Sequence, residues 1–200
     1  MRGKMGFRFY KGWGLALGLA AAGSAQAHTG HQVTGFVSGL EHPFGLDHLL
    51  AMVAVGFWSA VQLRARDMWQ GPALFMACLL GGAAVGMLGG AMPQGELLIA
   101  LSVVALGSML VAAGRLPTAA GFALIALSAS LHGVAHGAEA PGAAYVSYAA
   151  GFMLSTAALH VAGTLAGGYA RYRLPAAAAW LVRGAGVACA GTGLYLATQL

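Results

Sequence analysis

The amino-acid sequence predicts an all-α, polytopic membrane protein with six transmembrane helices after a cleaved signal peptide. Of its 200 residues, 59% are apolar and only 8% are charged, whereas soluble domains carry about 25% charged residues. So few charges cannot cover the surface of a soluble domain, and long apolar runs are typical of membrane spans. The net charge of +5 does not indicate nucleic-acid binding, because the basic residues form no patch with interleaved aromatic residues.

Residues 1–27 have the three parts of a secretory signal peptide. A basic beginning is followed by a short apolar run over 12–23 and by an A-x-A cleavage signature that ends at Ala27. The apolar run is short for a membrane span, which needs about 20 residues. An uncleaved first transmembrane helix is the alternative. Cleavage after Ala27 leaves residues 28–200 as a single six-helix transmembrane domain.

Six apolar runs follow the leader, and proline or glycine marks nearly every junction between them, as expected at helix ends. The predicted spans are 43–63, 72–90, 97–113, 118–136, 142–167 and 176–198. The segment 33–41 is too short to cross a membrane, so we expect a re-entrant or surface segment there. Small residues recur along the runs, which predicts close packing between helices.

The charges in the loops predict the orientation of the spans. One set of loops holds five arginines, and the other holds acidic residues and no Lys or Arg after the leader. Because positive residues are enriched in cytoplasmic loops, the arginine loops face the cytoplasm and both mature termini face the periplasm. The arginines are Arg64, Arg66, Arg115, Arg171 and Arg173; Arg183, inside the sixth predicted span, either extends its side chain toward the cytoplasm or pairs with an internal group.

The first of two polar motifs lies at the outer end of the first predicted span and reads His42-Pro43-Phe44-Gly45-Leu46-Asp47-His48. Ionisable residues are costly in hydrocarbon, so within a span they indicate function. Pro43 suits a first helical turn, and we expect Asp47 and His48 about one turn inside the helix. Asp47 would offset the partial positive charge of the helix N-terminus and anchor a metal ion or a ligating histidine.

The second motif lies at the outer end of the fourth predicted span and contains His132, His136 and Glu139. These residues are spaced i, i+4 and i+7, so they share one face of a helix. Gly133 and Gly137 leave room for a neighbouring helix or a hydrated ion. Imidazole and carboxylate together are typical ligands of divalent transition metals. We therefore predict that both motifs bind one ion on a shared path at the outer membrane level.

Other residues are weaker candidates for the path of the ion. Met52 follows His48 at i+4, and its thioether could line the same route. His160 is either a ligand on the exit path or a packing histidine that pairs with Ser155 or Thr156. His28 and His31, at the mature N-terminus, could collect metal or be merely solvated.

The two motifs resemble the signatures of the HupE/UreJ proteins, and the similarity covers essentially the whole mature chain. The first motif, continued by Leu49-Leu50-Ala51-Met52, is the more specific. The resemblance implies a nickel permease in a bacterial inner membrane that serves hydrogenase or urease maturation, with cobalt as the alternative ion. Its implied metal-binding residues are His42, Asp47, His48, His132, His136 and Glu139. The ion would be cargo, with no permanently bound cofactor.

Two other functions fit the same residues. An intramembrane metalloenzyme could hold a catalytic Zn²⁺ with histidines and acids, but His132-x-x-x-His136 lacks the glutamate base of an HExxH motif. A metal sensor or an assembly partner of a metalloenzyme would bind without transport. We expect a permease rather than an enzyme, without a nucleotide site, and the sequence leaves the oligomeric state open.

Overall fold

The computed structural model describes residues 35–90, 92–138 and 144–200, and in these ranges the chain is helical with no strand. The predicted leader, His28, His31 and Glu139 lie outside the described residues. The helices are α1 (Gly35–Glu41), α2 (Leu46–Gln62), α3 (Gln70–Met87), α4 (Gly95–Val111), α5 (Thr118–Ala138), α6 (Tyr145–Arg173) and α7 (Pro175–Ala197), with a 3₁₀ turn at His42–Phe44 between α1 and α2.

Helices lie in all six regions where apolar runs predicted spans. Four of the described helices, α3, α5, α6 and α7, are long and apolar enough to cross a membrane. A fifth candidate span combines α1, the 3₁₀ turn and α2, which are bent by 72°. The remaining helix, α4, is apolar but has only 17 residues. The protein is therefore a multi-pass membrane protein with four or five candidate spans by length.

The first predicted span does not begin as the sequence indicated. Pro43 lies in the 3₁₀ turn, and Gly45 (φ −55°, ψ 141°) leaves the helical conformation before α2 begins at Leu46. Asp47 and His48 consequently lie in the first turn of α2 rather than one turn inside a longer helix. The short segment expected before this span is α1, which packs against α6.

The fifth predicted span continues six residues beyond its expected end, to Arg173. The following Leu174 precedes Pro175, and proline disfavours the α conformation of the residue before it. The extra turns carry Arg171, whose Nη1 donates to the carbonyl oxygens of Ala60 and Leu63 at the end of α2. Arg171 and Arg183 both line a cavity of about 200 Å³. Arg183 of α7 therefore lies at the same end of the bundle as Arg171.

Small residues allow the main helix pairs to pack closely, as predicted. The most extensive contacts join α3 with α5, α4 with α7, and α2 with α6. A Cβ atom on Gly133 or Gly137 would collide with backbone atoms of Leu79 or Ala83 in α3. These glycines of the second motif therefore make room for a helix and not for an ion. Tight packing here fixes α5, and with it the histidines it carries.

Candidate metal site

Asp47 fixes the orientation and the tautomer of His48. Its Oδ1 accepts a hydrogen bond from the His48 backbone nitrogen at 2.8 Å and lies 2.8 Å from His48 Nδ1. Both residues are buried. With the proton of a neutral imidazole held on Nδ1, the other nitrogen, Nε2, presents a lone pair. A carboxylate behind a histidine is the usual arrangement at metal sites, where it aims the ring and raises its basicity.

The lone pair of His48 points toward the second motif. His48 Nε2 lies 2.6 Å from His136 Nε2, so the first turn of α2 meets the end of α5. With the proton of His48 on Nδ1, His48 Nε2 can accept in this pair, and His136 Nε2 would be the donor. Two imidazoles from separate helices thus turn the same nitrogen toward one point.

His42 adds a third imidazole to this point. Its ring centroid lies 5.1 Å from that of His48 and 4.7 Å from that of His136. One ring nitrogen of each of the three residues lies within 4.8 Å of the other two. We call His42, His48 and His136 the outer group. Such a set of converging nitrogens suits a borderline-soft divalent metal ion.

Aromatic residues of α6 form one wall of the outer group. Phe152 lies 4.8 Å from the His136 ring and 5.6 Å from the His42 ring between centroids, and Tyr148 lies 5.9 Å from His42. Sequence reasoning did not single out these two residues. The signal available was their i, i+4 spacing in the fifth apolar run, which places them on one helix face.

The other predicted ligands take different positions. Asp47 lies behind His48 and is not among the atoms that converge. His132 is fully buried one turn deeper than His136; its ring is 4.9 Å from that of His48, and its Nδ1 lies 2.8 Å from the carbonyl oxygen of Ser128. Met52 is fully buried on α2. Glu139 lies outside the described residues, as do His28 and His31.

His160 is buried in the middle of α6, away from the three converging rings. Its Nδ1 lies 2.8 Å from the carbonyl oxygen of Thr156, one of the two partners that the sequence suggested. The other, Ser155, donates instead to the carbonyl oxygen of Leu40 in α1 at 2.7 Å. The ring of His160 packs against Phe75 of α3, with 5.0 Å between centroids.

The fold and the site define a multi-pass helical membrane protein with a buried cluster of histidines. Comparison with known proteins gives the family. The family described as HupE / UreJ protein matches residues 15–196. Protein HupE of Rhizobium leguminosarum bv. viciae is 40% identical over 182 residues, which cover 89% of this chain and 93% of that protein. The chain belongs to the HupE/UreJ family, so the predicted family is confirmed. No solved structure matches the chain.

Proposed function

We propose that this protein carries divalent transition-metal ions, Ni²⁺ above all and Co²⁺ as the alternative, into the cytoplasm across a bacterial inner membrane. The observation that carries the proposal is the convergence of three imidazole nitrogens, from the bent α1–α2 segment and from α5, within 4.8 Å. Membership of the HupE/UreJ family supports it. The ion is the substrate, and its proposed destination is the maturation of hydrogenase or urease.

The outer group supplies the direct ligands in this proposal. His48 binds through Nε2, and the cation takes the place of the proton that His48 and His136 share. Asp47 acts through His48, because its carboxylate holds the Nδ1 proton and supplies the negative charge that a divalent ion needs close by. Glu139, three residues beyond His136, remains a proposed oxygen ligand on sequence grounds, and His132 lies on the route inward.

The ligand set suits several divalent transition-metal ions, and the membrane potential favours the entry of any of them. Imidazole and carboxylate suit Ni²⁺, Co²⁺, Zn²⁺ and Cu²⁺, so selection among them depends on geometry and supply. A divalent cation that enters a negative-inside cell gains about 4.6 kcal/mol per 100 mV, twice the value for a single charge. The membrane potential can therefore drive uptake, either by facilitated diffusion or by secondary transport.

Orientation follows from the loop charges. We propose six membrane crossings, removal of residues 1–27, and a periplasmic location of both mature termini, with the arginine end of the bundle in the cytoplasm. The end that holds His42, His48 and His136 then faces the periplasm. An ion would meet the outer group first and leave toward Arg171.

Ion flux into sealed vesicles tests the function and separates it from the enzyme and sensor alternatives. Purified protein is reconstituted into liposomes that contain a Ni²⁺-sensitive dye, and a negative-inside potential is applied. We expect dye response with the native protein and only background with His48→Ala. Ser102→Ala is the control, because this buried hydroxyl donates to the carbonyl of Ile99 within α4. Equal flux through the native and His48→Ala proteins would show that transport does not need the outer group. Ni²⁺ binding without any flux would favour a sensor.

A further inference from the structure

Two buried histidines, His132 on α5 and His160 on α6, have the same local arrangement. In each, Nδ1 lies 2.8 Å from the carbonyl oxygen four residues earlier in the same helix, that of Ser128 or Thr156. A carbonyl oxygen only accepts, so Nδ1 carries the proton of each imidazole. The helix therefore fixes the tautomer of both residues, and Nε2 of each carries an unprotonated lone pair.

These lone pairs have no hydrogen-bond donor in the part of the chain that the structure describes. The side chains are 0% and 1% exposed, so bulk water does not reach them. A buried polar atom without a partner is costly, and each such atom in a native protein calls for an explanation. A lone pair is satisfied by a proton donor or by a Lewis acid, and not by an anion.

The two histidines belong to a series of neighbouring buried rings that starts at the outer group. The ring of His132 is 4.9 Å from that of His48. The ring of Phe75 is 6.0 Å from His132 and 5.0 Å from His160, so it contacts both. Thr156, one turn from His160, is 0% exposed, and its hydroxyl oxygen also has no hydrogen-bond partner among the described residues.

We propose that His132 and His160, with the hydroxyl of Thr156, form an inner binding station for the same divalent transition-metal ions. The ion passes from His48 to Nε2 of His132, moves past the ring of Phe75, and is received by Nε2 of His160. The neutral imidazoles bind weakly compared with a site that includes a carboxylate, so the ion can leave again. This inference rests on the proposed function and extends it to a second site inside the membrane.

The test replaces His160 while the hydrogen bond to Thr156 is kept. In His160→Asn the side-chain amide can donate where Nδ1 did, but the imidazole Nε2 is lost. Ni²⁺ binding to purified protein is measured by titration calorimetry, and Ni²⁺ flux is measured in dye-loaded liposomes. We expect an unchanged affinity of the outer group and a fall in maximal flux of at least about tenfold, at an unchanged half-saturating Ni²⁺ concentration.

A second variant gives a readout that a structural role would not move. His160→Cys offers a thiol that releases its proton when it binds a metal ion, and sulfur prefers softer ions, so we expect Cd²⁺ flux to rise relative to Ni²⁺ flux. Thr164→Ala is the matched control, because its hydroxyl donates only to the carbonyl of His160 in the same helix at 2.8 Å, and flux should stay at the native level.

The possible outcomes separate this inference from the proposed function. Native flux and ion preference in both His160 variants would mean that a water molecule, and not a cation, satisfies Nε2, and would overturn the inner station. Loss of outer-group binding in both variants would show that His160 acts through the fold, which also overturns it. Absence of Ni²⁺ binding and flux in the native protein would refute the proposed function itself.

Discussion

The role of Asp47 gives the sharpest prediction. If Asp47 acts through His48, Asp47→Asn should weaken Ni²⁺ binding without abolishing it. The carboxylate accepts from two nitrogens of His48, each at 2.8 Å. An amide oxygen of the same size can still accept but carries no charge, so it holds the ring less firmly and lowers its basicity. Removal of such supporting groups costs about 10–100-fold in metal affinity, which corresponds to about 1.4–2.8 kcal/mol.

A double-mutant cycle separates positioning from direct ligation. Ni²⁺ affinity is measured by titration calorimetry for Asp47→Asn, for His48→Ala and for the double variant. A residue that acts only through His48 has nothing left to act on once the ring is gone, so the effects should be strongly non-additive. Asp67→Asn is the control, since this carboxylate follows the end of α2, where it pairs with the exposed Arg64 and Arg66 and accepts from Gln70 Nε2 at 3.4 Å, and such pairs contribute little. Additive losses would refute the positioning role and make Asp47 a direct ligand.

Three further predictions concern packing and orientation. Gly133→Val should destabilise the protein by about 1–3 kcal/mol, seen as a lower melting temperature, because α3 lies against this position. Gly184→Ala, whose Cβ would meet nothing within 4 Å, should change stability little. Equal melting temperatures of the two variants would contradict the tight α3–α5 contact. Arg171→Gln should lower stability by about 1.5–3 kcal/mol, since two carbonyls at the end of α2 lose a charged donor, and the exposed Arg173→Gln should not. Mass spectrometry should find His28 as the first residue of the mature protein. Arg66→Cys, in a background of Cys78→Ala and Cys189→Ala, should resist impermeant thiol reagents added from the periplasmic side. Retention of residues 1–27 would contradict cleavage, and labelling from that side would contradict the proposed orientation.

The helices were largely predictable because their signals are local. Apolar runs with proline and glycine at their ends located six helices to within a few residues, except at the end of α6. There Arg171 and Arg173 indicated a loop, but the helix continues because Arg171 bonds to the end of α2. The i, i+4 spacing of His132 and His136 likewise predicted a shared face. The loop charges placed both motifs at the outer membrane level and so predicted that α2 and α5 meet there. Which of their atoms meet could not be predicted, since no periodicity relates residues of separate helices.

The break before α2 explains why the first motif can act as one unit. In a continuous α-helix, His42 and His48 would be six residues apart, which separates them by about 9 Å along the axis and about 120° around it. Their side chains would then point to different neighbours. The 3₁₀ turn at His42–Phe44 and the extended Gly45 bend the chain by 72°, and the two rings come to 5.1 Å. Pro43 and Gly45 thus matter to the proposed site as much as the ligands do, because the bend adds the third imidazole to the two that α2 and α5 supply.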